Sequence, residues 1–142
     1  MEILTTVVSL ILLLGLILFP IILFIGIERW NKLKFEFLTY LTIGLIIAAG
    51  IVGTSAWWAD FSDQLLMRYY GYDFNAMNEI ERFSRVADEN KERVKQLEIS
   101  YFGIGWPLKA AIGFVSYSPY LLIVYLVGLL VERTRGEKGY PQ

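Results

Sequence analysis

Three stretches of this chain, residues 3–27, 37–59 and 110–131, contain no Asp, Glu, Lys or Arg. They are 25, 23 and 22 residues long and together make up half of a 142-residue chain whose 13 basic and 14 acidic residues all lie elsewhere. At 1.5 Å per residue each helix would reach at least the ~30 Å needed to cross bilayer hydrocarbon. The 15% aromatic content, with four Trp and nine Tyr, suits interfacial anchoring as well as burial. The expected fold is therefore all-α: one polytopic membrane domain over 1–142, with three transmembrane helices. A long extramembrane helix and a short amphipathic helix are expected between the second and third spans.

The spans are expected at about 3–27, 37–59 and 107–131, with a helical insertion at about 61–105 and a polar tail at 132–142. The first begins Met1, Glu2 with no basic residue ahead of it, and it far exceeds the ~7–15 apolar residues of a signal h-region, so it reads as a retained helix. Pro20 removes one backbone donor inside it. The polar turn after it, with Arg29, Trp30, Lys32 and Lys34, suits the headgroup level. Trp57 and Trp58 close the second span, and Trp106 and Pro107 open the third, where a proline in the first turn does little harm. Six basic residues are concentrated in 28–36 and 132–142, whereas seven in 60–109 are diluted by nine acidic ones. That balance places the first turn and the C-terminus in the cytoplasm of a cell-membrane protein, with the N-terminus and 60–106 outside.

Cys and His are both absent. This removes disulfides, iron–sulfur clusters, imidazole-bound metals and the commonest general base. A net charge of −1 gives no basic footprint for nucleic acid. Asp60 and Asp63, three apart, share a helical face, but no second acidic or Arg-rich motif joins them, and Ser9, Ser55, Ser116 and Ser118 have only Lys109 as a conceivable base. The expectation is a protein that is not an enzyme and carries no cofactor or metal.

From Ala76 to Glu98 there is no Pro or Gly, and the less polar positions Ile80, Phe83, Ala87, Asn90, Val94, Leu97 and Tyr101 alternate in steps of three and four. This is a heptad seam of about three repeats, with Asn90 at a position where a polar residue fixes register. It predicts one continuous helix that docks on another subunit or on a copy of itself, or else one whose Ile80, Phe83 and Leu97 lie on the bilayer or on the protein's own helices. Phe61–Tyr72 reads as an amphipathic helix or a continuation of the second span, and Gly71 allows a turn after it.

Within the membrane, Gly44/Ala48 and Ala49/Gly53 are small residues at i,i+4, and Ala110 and Gly113 lie at the same depth on span three. These six residues predict close packing of the second and third spans, with Asp60 and Lys109 at matching heights to pair. Span one, nearly all Leu and Ile, is expected to face lipid. Ser116, Tyr117, Ser118 and Pro119 form the one polar cluster at depth. Its hydroxyls either satisfy the carbonyl that Pro119 frees near Val115 or line a path together with Thr54. The leading expectation is a non-catalytic membrane subunit that assembles or stabilises a larger complex, its partners being membrane lipids and other subunits or copies of itself. The alternative is a homo-oligomeric pore or channel, whose three spans and outside N-terminus are similar in topology alone to phage holins.

Overall fold

The computed structural model describes residues 1–29 and 36–137. Among them the chain forms helices and turns and no strand: α1 (Glu2–Arg29), α2 (Glu36–Tyr69), a one-turn α3 (Glu79–Arg82), a 3₁₀ turn at Asp88–Asn90, α4 (Lys91–Gly103) and α5 (Trp106–Glu137). Helices α1, α2 and α5 are long and apolar enough to cross a membrane, and the chain is read as a multi-pass membrane protein. The basic turn around Trp30, Lys32 and Lys34 and the end of the polar tail, 138–142, lie outside the described residues.

In the bundle α2 packs against both α5 and α1. Its buried stripe is Gly44, Ala48, Val52 and Ala56, an i,i+4 ladder that lets backbones approach. A Cβ on Gly44 would meet Leu121 and Leu23 at 3.5–3.6 Å, and one on Gly113 would meet Val52 at 3.1 Å. Ala110 is half-buried, but Ala49 is exposed, and a Cβ on Gly53 would meet nothing within 4 Å. Of the two small-residue pairs on α2, only Gly44/Ala48 therefore lies in the helix contact. Ala49/Gly53 lies one step round the helix, on the outer face.

Helix α1 is not confined to a lipid-facing role. Phe24 sits where a Cβ on Gly128 of α5 would come within 2.5 Å of its ring. The same ring packs edge-on against Tyr40 and Tyr125, which lie 5.1 Å from each other. Tyr40 is fully buried and donates to the Leu121 carbonyl at 3.2 Å. Pro20 leaves the carbonyl four residues before it, Leu16, without its helical donor. The Tyr117 hydroxyl of α5 takes that carbonyl at 2.6 Å, and Tyr120 takes the neighbouring Ile17 carbonyl at 3.0 Å. A defect in one span is thereby converted into a bond to another.

The expectation of one long helix over 76–98 is corrected. Helix α2 does not stop at Ala59 but continues without a break to Tyr69, ten residues past its charge-free part, and the return path is broken into α3, a turn, the 3₁₀ turn and α4. The reason is closure. From Asp60 to Tyr69 α2 rises ~15 Å, and the chain must come back to Trp106, whose backbone N–H donates to Asp60 Oδ2 at 2.9 Å. The 13 residues of α4 span ~20 Å, somewhat more than that rise, whereas a straight helix from 76 to 103 would measure ~42 Å. The excess chain is taken up where Phe83 leaves helical geometry (ψ 0°) and Ala87 is extended (ψ 142°).

Gly128→Ala is expected to lower bundle stability by about 1–3 kcal/mol through overpacking against Phe24. The double variant with Phe24→Leu should recover part of the loss, and Gly15→Ala, which meets nothing within 4 Å, should cause no loss of stability. Thermal unfolding in mild detergent, followed by far-UV circular dichroism, reads all three.

Candidate functional site

Helix α2, nine residues before its end, the start of α5 and α4 meet at Asp60. Its Oδ1 accepts from Lys109 Nζ at 2.6 Å and its Oδ2 from the Trp106 backbone N–H at 2.9 Å, so both carboxylate oxygens are engaged. Lys109 also donates to the Ser100 carbonyl of α4 at 3.0 Å. Asp60 thus caps a helix that begins 46 residues later in the chain. The negative charge favours the N-terminal end of α5, where backbone N–H groups lack helical partners. The Asp60–Lys109 pair anticipated from depth is present, and its side chains are only 13% and 25% exposed. A second fastening ties Arg93 of α4 to Glu2 of α1 at 3.3 Å.

Above this junction Leu66, Met67, Tyr72, Val86, Val94 and Leu97 form a small apolar core, with Phe74, Phe83 and Tyr101 packed against it. The chain enters it through Gly71, whose φ of +90° lies in the left-handed region that disfavours a side chain. A Cβ there would also meet the Arg85 carbonyl oxygen at 2.8 Å. The Tyr72 hydroxyl donates to Glu98 Oε1 at 2.5 Å, and Arg82 approaches the same carboxylate at 3.7 Å. Burial first, and the adjacent Glu98 carboxylate second, push the Tyr72 hydroxyl up to about 12.

Among the depressions on this segment, two have a predominantly apolar surface. One, of about 590 Å³, has Ile80 and Phe83 as its apolar part and Glu79, Lys91, Glu92 and Lys95 as a mixed-charge rim. The other, of about 470 Å³, lies between Trp57 and Phe61 of α2 and Tyr101, Phe102 and Trp106 at the α4–α5 joint.

The anticipated docking seam is not one exposed stripe. Val94 and Leu97 are buried in the chain's own core and Phe83 is half-buried against it, so these three pack on the protein's own helices. Asn90 is half-buried at the start of α4, with its backbone N–H on the Ala87 carbonyl at 2.9 Å, and Ala87 is exposed. Ile80 also projects, at 86% exposed. In the polar cluster Ser118 donates to the Phe114 carbonyl at 2.8 Å, not to Val115, and Tyr117 reaches α1. Ser116 and Pro119 are exposed, and Thr54 donates back to Gly50 at 2.8 Å. Among the described residues no group of three or more acidic side chains is placed to hold a metal. Sequence reasoning missed Tyr72, Met67 and the Phe24–Gly128 contact. The only available signals were a tyrosine beside the turn glycine and a glycine late in an otherwise bulky run.

A phenol held neutral by the fold contributes stability below its unfolded value near 10, and that contribution is lost as pH rises from about 10 to about 12. Alkaline titration followed by tyrosinate absorbance should show one fewer late-ionising tyrosine in Tyr72→Phe than in the wild-type chain. The variant should itself lose about 1–2 kcal/mol with the hydrogen bond to Glu98. Compared with known proteins, the chain matches no family model, no curated protein and no solved structure.

Proposed function

We propose that this protein is a non-catalytic integral membrane subunit that helps assemble or stabilise a larger membrane complex. Its charged segment between α2 and α5 lies in water and docks on a partner subunit. The observation that carries the reading is the exposure of Met77 at 96% and Ile80 at 86% on that segment. Lipid solvates apolar side chains at membrane depth, whereas water does not, so two fully presented apolar residues among charges mark an interaction surface. The rim of Glu79, Lys91, Glu92 and Lys95 around Ile80 supplies charges of both signs for orienting a partner. The distribution of basic residues supports an orientation with this segment outside the cell and the C-terminal end of α5 in the cytoplasm.

The pore reading has less support. Thr54 and Ser118 spend their hydroxyls on carbonyls of their own helices, and Tyr117 spends its own on α1.

Native mass spectrometry of membranes solubilised in mild detergent is the test. The chain should appear in a complex of fixed stoichiometry with another membrane subunit, and Met77→Glu with Ile80→Glu should shift most of it to the free chain while helicity is retained. A wild-type chain that is monomeric in native membranes would overturn the reading.

A further inference from the structure

Three carboxylates and two cations gather where α4 packs on α2: Glu2 of α1, Asp60 and Asp63 of α2, Arg93 of α4 and Lys109 of α5. Both cations are already committed. Lys109 Nζ binds Asp60 at 2.6 Å and the Ser100 carbonyl at 3.0 Å, and Arg93 binds Glu2 at 3.3 Å. Among the described residues no ion pair within 4.0 Å includes Asp63. This carboxylate stands three residues beyond Asp60, on the same helical face, and is half-buried. The cluster therefore holds one negative charge more than it can pair, and that charge is partly withdrawn from water, where it costs most.

Asp63 lies beyond the charge-free stretch 37–59, outside the membrane-spanning part of α2. The groups that face it are Asp60 on its own helix, Ser100 and Arg93 on α4 and Lys109 on α5, while Glu2 of α1 acts on it through Arg93. From this arrangement we propose that Asp63 is a proton-operated clamp on the extramembrane segment: proton uptake by its side chain cancels the surplus charge and draws α4 more firmly onto α2. Burial pushes the carboxyl above the ordinary aspartate value of 3.8, against the pull of Ser100, Lys109 and Arg93, and the Asp60 charge adds to the rise. The closed segment thus binds the proton more tightly than the opened one, and its stability increases as pH falls through the folded value of Asp63. Glu2 acts in the opposite sense. Tyr70 and Arg93 hold it below 4.5, so its contribution is present above that value and is lost as pH falls below it. A gain in firmness that begins well above pH 4.5 therefore carries the sign of Asp63 and not of Glu2. The clamp does not depend on what covers Met77 and Ile80.

Hydrogen exchange of the α4 amides tests the clamp in the purified full chain, read by mass spectrometry and corrected for the intrinsic pH dependence of exchange. Between about pH 7 and about pH 5 the protection factor of α4 should rise by about twofold or more in the wild-type chain. Asp63→Asn keeps the shape of the side chain without its charge and should remove the rise. Glu89→Gln, at an exposed acid outside the junction, should keep it. Wild-type protection that stays flat or falls over this range would overturn the proposal without any variant, and so would a rise that persists in Asp63→Asn or disappears in Glu89→Gln.

Discussion

The Asp60 carboxylate sets the geometry of everything between the second and third spans. By holding the Trp106 backbone N–H and the Lys109 ammonium together, it fixes the point to which the chain must return after leaving α2. Once that point is fixed, the chain returns to it through α3, its turns and α4 and not as one straight helix. The apolar core of Leu66, Met67, Tyr72, Val86, Val94 and Leu97 is what that folding encloses. An exposed ion pair would contribute only ~0–1 kcal/mol, but this one is largely shielded and also caps a helix, so removing the carboxylate would leave a half-buried ammonium and an open helix start.

Within the membrane the cohesive forces are different. Transferring an apolar side chain from lipid to a helix contact yields little, so the spans are held by close van der Waals approach and by polar groups with no better partner. The glycines mark the approaches: Gly44 against Leu23 and Leu121, Gly113 against Val52, and Gly128 against Phe24. The hydroxyls mark the polar ties. Tyr117 and Tyr120 of α5 bind the two α1 carbonyls one turn ahead of Pro20, and Tyr40 of α2 binds α5. Each of the three spans is tied to another by at least one such bond.

The legible parts of the structure were those governed by local counting. Charge-free length gives the three spans, and equal depth gives the Asp60–Lys109 pair. The heptad from Ile80 to Leu97 misled because spacing reports which residues share a face and not what covers it. Phe83, Val94 and Leu97 are apolar for the reason the seam implies, but the surface they meet is the chain's own α2 extension, and closure at Asp60 prevents the straight helix the spacing describes. Contacts such as Phe24 with Gly128 are non-local and lie inside uniformly apolar runs, where no periodicity separates a packed residue from a lipid-facing one. The fate of the Leu16 carbonyl follows the same logic. Pro20 announces that it is free, but only the fold tells which hydroxyl arrives.

Exposure therefore means different things at different depths in this chain. The most apolar windows of α1, α2 and α5 have only 11%, 22% and 6% of their residues buried within the protein, and residues such as Ile3 at 82% are as open as Ile80 at 86%. For Ile3 at the membrane the solvent is hydrocarbon or its boundary, and exposure costs little. Ile80 stands among Glu79, Glu81 and Arg82, where the solvent is water and covering an isoleucine is worth roughly 1.5–3 kcal/mol. The same arithmetic applies to Met77, which is 96% exposed. The charge of a residue's sequence neighbours, more than its degree of exposure, thus separates Ile80 from Ile3.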